Sequence, residues 1–434
     1  MNKIDSGVEW LGKIPDSWKI VPNKVIMHKE KNICEKYNNE NILSLTMNGV
    51  IVRDLENPSG KMPATFDGYQ IVKSGNLLMC LFDIDVTPRC IGLIENDGLT
   101  SPAYSNFVLH NGYFNKYYYY YYLMLDNTKE LLHLAKNLRH SLTEEQLGYI
   151  PTLVPPFDTQ VLISELLDNK ISKIDALIAN QEEQIVKLIE YKKKEITKVV
   201  TKGLYSVATM KNTNVKWIGQ IPEHWNCCYN KYLFQYGNGA LRIGPFGSSL
   251  SGKMLPNGQY KIYNQAHLVN DDFSLSRHFI DDETFEQLKS YEVLPGDILF
   301  SMMGTIGKCK IMPEGYMPGI MDSHLLKARL NELILPEYYL YVFDKDLSDC
   351  VISQLKYLSN GSIMSGLNST IVKNIMIPVP PINEQLEIIQ HLNPFCKKMD
   401  KLISLKKDKI NKLQEYKKSI IYEYVTGKKS VYAE

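Results

Sequence analysis

The stretch L-R-I-G-P-F-G-S-S-L-S-G-K, Leu241 to Lys253, carries the most readable chemistry in this 434-residue chain. The guanidinium of Arg242, the ammonium of Lys253, the hydroxyls of Ser248 and Ser249, and glycines that bare backbone amides are groups that hold phosphate oxygens. A plain surface turn is the alternative reading. Downstream, Y-N-Q-A-H (Tyr263 to His267) offers the amides of Asn264 and Gln265. Each amide presents a donor beside an acceptor, the arrangement that pairs with adenine N6 and N7, although polar residues at a strand edge would look the same. Catalytic patterns are absent. The Gly-rich run Gly237 to Gly247 lacks G-x-G-x-x-G spacing, no G-x-x-x-x-G-K-[ST] loop occurs, and nine histidines form no H-E-x-x-H. Eight cysteines include no C-x-x-C pair. The adjacent Cys227 and Cys228 suit neither a relaxed disulfide nor zinc, and read as small apolar residues.

Groups of this kind need a frame, and length and composition bound it. At 44% hydrophobic content, 434 residues are enough for two or three cores. Net charge is +1, from 49 basic and 48 acidic residues, so no field of one sign advertises a free-standing nucleic-acid binder; a partner could supply the missing charge. The N-terminus has no apolar run of signal-peptide length, and no 18 consecutive apolar residues occur. The expectation is a cytosolic chain with reduced thiols.

The frame is written twice. V-E-W-L-G-K-I-P-D-S-W (Val8 to Trp18) returns as V-K-W-I-G-Q-I-P-E-H-W (Val215 to Trp225), 207 positions later. P-P-F-D-T-Q (Pro155 to Gln160) returns as P-P-I-N-E-Q (Pro380 to Gln385), and the E-Y-K-K stretch at Glu190 returns at Glu415, both at an offset of 225. Two motifs sharing one offset indicate a duplicated block. Between them run apolar stripes at helical spacing, Ile163, Leu167, Ile171, Ile174, Ile178, Ile185 and Leu188 in one copy, and Leu392, Met399, Ile403, Ile410 and Leu413 in the other. These predict long helices that pair as a coiled coil, each entered through a proline pair with Asp158 or Asn383 as cap. The first would extend roughly 65 Å. Pro394 predicts a kink or restart in the second. Ahead of each helix lies a mixed block; S-G-N-L-L-M (Ser74 to Met79) answers P-G-D-I-L-F (Pro295 to Phe300), and the tyrosine run Tyr117 to Tyr122 answers P-E-Y-Y-L-Y-V-F, at an offset of 221. That alignment predicts a core helix for the tyrosines, with base stacking as the lesser reading. Chain order makes the helices antiparallel and the repeat circular, with the N-terminal segment completing the unit that the C-terminal helix begins. Trp10, Trp18, Trp217 and Trp225 then read as clips that pack each block onto a helix end. Lys192, Lys193, Lys194, Lys417 and Lys418 read as a solvated coiled-coil face, because Asp158 to Lys202 holds eight lysines against eight acids.

Doubled W-x-G-x-I-P-x-x-W, doubled P-P-x-x-x-Q, E-Y-K-K, G-P-F-G-S-S-L and G-T-I-G, taken in order, closely resemble the specificity (S) subunit of type I restriction-modification systems. The resemblance covers essentially the whole chain. It implies an α+β protein with two mixed α/β target recognition domains separated by two long antiparallel helices, with circular pseudo-twofold symmetry. The implied boundaries are 1–157 and 204–381 for the two domains, and 158–203 and 382–434 for the helices. Each domain would read one half of a bipartite asymmetric site in double-stranded DNA. The helices would fix the gap between the halves and dock two methyltransferase (M) subunits, and restriction (R) subunits could join. S-adenosylmethionine belongs to the M partner, and ATP and magnesium to the R partner; the S subunit catalyses nothing and binds no cofactor or metal. The family is bacterial or archaeal and cytoplasmic. V-P-P-F (Val154 to Phe157) agrees that this chain is not the methylase, since it places Val154 where adenine N6 chemistry needs Asn or Asp.

By that likeness, Thr305 and Lys308 in G-T-I-G-K and Ser323 and His324 in D-S-H-L lie near the DNA face, with a solvated loop as the alternative. Asn360 and Ser362 fall in the loop before the last family helix. In the first block Arg139 and His140 occupy the corresponding late loop, while Arg53, Lys61, Arg89 and Asn106 sit in turn-rich stretches. Two other readings stay open: a free-standing DNA-modifying enzyme with an unrecognised active site, and a coiled-coil scaffold with no DNA role.

Overall fold

The computed structural model describes all residues except 1, 59, 61, 88, 136–139, 206–207, 238, 276, 305, 359–365 and 434. The chain divides into two compact units, Met1–Glu182 with Lys407–Glu434, and Glu183–Lys406. Two long helices, Phe157–Lys202 and Ile382–Val425, each pass from one unit to the other. The first contains neither glycine nor internal proline and stops one residue before Gly203, whose φ of +73° ends it in the left-handed region. Of the kink or restart expected at Pro394, the restart does not occur: the second helix runs through it. Asp158 and Asn383 lie inside the helices, one residue past their starts, and so are not the caps that the sequence suggested. Gln160 and Gln385 fix the chain there. Gln160 accepts from the Phe114 amide at 2.9 Å and donates to Pro155 O at 2.9 Å; Gln385 accepts from Leu335 at 2.8 Å and donates to Pro380 O at 2.9 Å.

In the first unit a four-stranded antiparallel sheet has the order Ile91–Leu93, Leu77–Met79, Ser105–Leu109, Met27–Glu30. A five-stranded sheet runs Asn32–Ile33, Gln70–Val72, Gly98–Thr100, Ile42–Thr46, Gly49–Val52, with the third and fourth strands parallel. Helix Asn115–Asn127 carries the tyrosine run, and Tyr117, Tyr118, Tyr120, Tyr121 and Tyr122 are buried. Their hydroxyls are satisfied, as buried phenols must be: Tyr117 donates to Val425 O at 2.9 Å, Tyr121 to Pro151 O at 3.1 Å and Tyr120 to Asp168 at 2.6 Å. The run is core, as predicted.

The second unit repeats the plan with a four-stranded sheet, Leu241–Ile243, Leu325–Ala328, Ile298–Ser301, Cys309–Ile311, and a three-stranded one, Phe279–Ile280, Tyr260–Tyr263, Gly319–Met321. Its helix Pro336–Phe343 places Tyr338 where the first unit has Tyr117. The Tyr338 hydroxyl reaches Val200 O at 3.2 Å, near the end of the first long helix, just as Tyr117 reaches Val425 near the end of the second. Cys309 N donates to Asp344 at 2.8 Å as Cys90 N does to Asp126 at 2.7 Å, and Tyr341 donates to Asn393 as Tyr120 does to Asp168.

Helix pairing is antiparallel in both units. Within the first, Thr159 meets Tyr432 at 3.1 Å and Asp175 binds Lys417 at 2.7 Å. Within the second, Gln184 bonds to Lys406, Lys192 binds Asp400 at 2.7 Å, and Tyr191 packs edge-on against Phe395. Partner numbers fall as helix numbers rise. The ion pairs are surface ones that fix register more than they stabilise, whereas buried Ile163, Leu167 and Ile174 against Ile420, Ile421 and Tyr424 supply the apolar seam.

Closure is the last shared feature. Gly427, at φ +67°, lies on Pro15 and Trp18, and Gly203 lies on Pro222 and Trp225. Trp225 is fully buried and Trp18 nearly so, while Trp10 and Trp217 are only partly covered. Lys428 Nζ donates to Leu11 O and Lys13 O, both at 2.6 Å, and Lys3 Nζ donates to Lys428 O at 3.0 Å. The first and last segments of the chain thus meet inside one unit.

Candidate nucleic-acid interface

Four loops of the second unit converge at one end of its sheets. Gly244 follows strand Leu241–Ile243 and donates its amide to Leu325 O at 2.9 Å; a Cβ on it would stand 1.7 Å from Asp322 O, so only glycine lets these backbones approach. Asp322 N bonds to Tyr263 O at 2.8 Å, which brings D-S-H-L beside Y-N-Q-A-H. Gln265 Nε2 donates to Met303 O at 2.6 Å, and Met302 N bonds to His324 O at 3.1 Å, which joins G-T-I-G-K to both. G-P-F-G-S-S-L, Y-N-Q-A-H, G-T-I-G-K and D-S-H-L are therefore neighbours, although the sequence spreads them over some eighty positions.

Their side chains are not equally available. Ser248 is exposed and Ser249 half-buried on the short helix Gly247–Leu250. Arg242 is half-buried with its guanidinium 4.4 Å above the Tyr291 ring. Exposed Lys253 reaches Gln287 Oε1 at 2.9 Å, and Lys308 pairs with Asp346 at 3.3 Å. Ser323 is half-buried, and exposed His324 holds Asp322 at 3.1 Å. Asn264 caps the helix Gln265–Asn270, its side-chain oxygen accepting from Ala266 N at 3.0 Å. His267 completes that cap: burial holds its imidazole below the usual range, and the neutral ring accepts from Asn264 N at Nδ1 and donates to Leu275 O from Nε2, each at 3.0 Å. Asn264 and Gln265, read from sequence as base-pairing amides, thus have their polar atoms engaged in building the loop.

In the first unit Arg53 is half-buried after strand Gly49–Val52. Arg89 donates to Ile91 O at 3.0 Å, Met47 O at 2.8 Å and the Tyr119 hydroxyl, which makes it an internal strut. Asn106 is a correction. It is 0% exposed, and neither side-chain polar atom has a partner among the described residues, so it offers no surface for contact. His140, at φ +43°, is half-buried 4.0 Å from Asp85, and its carbonyl accepts from Ile84 N at 3.2 Å. Lys61, Arg139, Thr305, Asn360 and Ser362 lie outside the described residues.

Sequence reasoning missed the apolar members of these loops. Phe246 is 85% exposed in G-P-F-G, Met303 56% and Val86 73%, with Phe82 less so. The signal available was a large apolar residue flanked by glycines in a stretch without helical or strand periodicity. Among the described residues no group of three or more His, Cys, Asp or Glu is placed to hold a metal ion. Among the described residues no helix is long and apolar enough to cross a membrane.

Residues 247–415 match the family model of the type I restriction modification DNA specificity domain. In this stretch the chain is similar to type I restriction enzyme specificity subunits. The MjaX type I restriction enzyme specificity subunit of Methanocaldococcus jannaschii is 24% identical over 291 residues, 66% of this chain and 61% of that one. The MjaVIII specificity subunit from the same organism is 25% identical over 286 residues, 63% of this chain and 61% of that one. The chain therefore matches about three-fifths of the length of these relatives. A solved chain from work on complex assembly and conformational transition of the type I R-M system superposes with a TM-score of 0.61 at 13% identity, covering 95% of this chain and 98% of that one. The likeness is one of fold, two mixed units joined by long helices.

Proposed function

We propose that this chain is the DNA sequence-specificity subunit of a type I restriction-modification complex, reading a bipartite asymmetric site with one unit on each half. It catalyses nothing itself and serves as the scaffold for methyltransferase and restriction subunits. In that role S-adenosylmethionine acts in the methyltransferase, ATP and magnesium act in the restriction subunit, and the assembly works in the cytoplasm of a bacterium or archaeon. Tight, correctly spaced binding precedes chemistry, because the methyltransferase must flip its adenine out of the duplex.

The observation that carries this reading is the pairing of a doubled frame with divergent loops. Contacts such as Tyr117 to Val425 and Tyr338 to Val200 repeat, while the loops at the sheet ends share almost no residues. Shared framing with different loops is what reading two different half-sites requires. The long helices also expose apolar residues at matching positions, Phe157 and Ile382, Leu177 and Leu402, Tyr191 and Tyr416. Exposed apolar residues that recur at matching positions suit one partner docking twice, as two methyltransferase subunits would. Arg53, His140, Arg242, Ser248, Ser249, Lys253, Lys308, Ser323 and His324 remain the proposed DNA contacts in the described residues, most of them to phosphate. Near-zero net charge fits a subunit that shares its DNA clamp with those partners.

The test is methyl transfer from S-adenosylmethionine to DNA by the purified chain with and without the methyltransferase. Transfer only in the mixture, at a two-part site, is the expected outcome. Transfer by the chain alone contradicts the proposal and favours a free-standing modifying enzyme.

A further inference from the structure

The loops that follow strands Leu77–Met79 and Ile298–Ser301 differ in sequence, F-D-I-D-V-T-P against M-G-T-I-G-K, yet are built alike around one residue. In the first unit Cys80 Sγ donates to Phe82 O at 3.4 Å; in the second Ser301 Oγ donates to Met303 O at 3.3 Å. The residue just before is pinned by the late loop, Leu142 N to Leu81 O and Leu367 N to Met302 O, both at 2.8 Å. The residue just after turns left-handed, Asp83 at φ +48° and Gly304 at φ +71°. Three backbone and side-chain features therefore fix one position in each unit, and the side chain held there is apolar and uncovered: Phe82 is 39% exposed and Met303 56%. Holding a large apolar group in water on a braced loop is costly unless something covers it in use.

Divergence identifies what covers it. Of the three exposed apolar pairs that repeat along the long helices, two keep their residue type, Tyr191 with Tyr416 and Leu177 with Leu402, and only the pair at the helix starts, Phe157 with Ile382, does not. Here the frame is kept and the side chain changed, which fits a surface that meets a different ligand in each unit. Under the proposed function the two half-sites are the ligands that differ. In the second unit the position also adjoins the glycine-dependent approach of Gly244 to Asp322, through Met302 N to His324 O. Phe and Met are side chains that wedge between base pairs, and a wedge works only if its backbone does not yield.

We propose that Phe82 and Met303 are equivalent apolar wedges, each inserting at a base step of the half-site read by its own unit. This inference rests on the DNA-reading proposal above. The full chain with its methyltransferase is titrated onto duplexes carrying the methylated site, with 2-aminopurine placed at successive positions of each half. Besides the adenine that the methyltransferase flips, wild type raises the fluorescence at one step per half-site, the wedge step. Phe82→Ala abolishes the rise in one half only and weakens binding about tenfold or more, and Met303→Ala does the same in the other. Phe82→Leu and Met303→Leu, which keep an apolar wedge, restore most of the signal, an outcome a merely structural or protein-docking role would not produce. If wild type binds the site but alanine variants bind and fluoresce as wild type does, the wedge is overturned and the DNA-reading proposal stands. A wild-type complex with no preference for the duplex overturns both.

Discussion

Replacing Gly427 with alanine tests how the chain closes on itself. At φ +67° an L-residue costs about 1–2 kcal/mol. The added Cβ would also stand 2.5 Å from Pro15 Cδ, 2.6 Å from its Cγ and 3.0 Å from Trp18, overlap that backbone rigidity at a proline cannot relieve cheaply. Overpacking of this kind adds about 1–3 kcal/mol. Gly203, the equivalent at φ +73°, would meet only Trp225 at 3.2 Å and Pro222 at 3.7 Å, so Gly203→Ala costs little beyond the backbone term. The assay is amide exchange read on two peptides, residues 8–18 and 215–225, because whole-chain melting of a two-unit protein is not a two-state quantity. Gly427→Ala should speed exchange in 8–18 by about thirtyfold or more and leave 215–225 untouched, and Gly203→Ala should act on 215–225 alone and more weakly. Unchanged protection of 8–18 in Gly427→Ala, or equal effects on both peptides, would refute the closure described.

Tyr338→Phe removes one hydroxyl proton shared between Val200 O at 3.2 Å and Pro378 O at 3.1 Å, and should cost about 1–3 kcal/mol in urea unfolding of the second unit, much as Tyr117→Phe, which removes the donor to Val425 O, costs the first. Asn106→Leu replaces a buried amide that lacks partners among the described residues, so the first unit should gain about 1 kcal/mol or more, measured by the same unfolding. Lys327 is buried, and desolvation lowers its pKa below the ordinary 10.5. The unfolded chain then holds the proton more tightly, stability rises with pH between the two values, and any gain from Lys327→Met should be largest at neutral pH, fade as pH climbs through the lowered value and be gone above 10.5.

The long helices, their antiparallel pairing and the tyrosine core helix were legible because period and repetition are local properties of sequence. Side-chain fate at the sheet ends was not. In S-N-F-V-L, Ser105 to Leu109, alternation puts Asn106 opposite Phe107 and so, by rule, in solvent. Here the far face is covered too: Leu78, paired with Asn106, packs with Leu43 and Val72 of the second sheet. Only strand pairing over sixty positions creates that second core. Arg89 looked like a free cation, and its capture depends on Met47 and Tyr119 from distant elements. For Asn264 and Gln265 the sequence showed two amides but not that Asn264 Oδ1 caps Ala266 N and Gln265 Nε2 reaches Met303 O, because those partners are backbone groups placed by the fold. Phe82 and Met303 stayed invisible, since exposure of an apolar residue is a fact of the fold and not of the residue.

The central claim is that two units read two DNA half-sites and that the paired helices set the gap. Methylome sequencing of a host carrying the methyltransferase with either the wild-type chain or one lengthened by seven residues in each long helix tests it directly. At about 1.5 Å per residue against about 3.4 Å per base pair, both half-sites should persist with the unread gap longer by about 3 base pairs. A changed half-site, or an unchanged gap with methylation intact, would contradict the account.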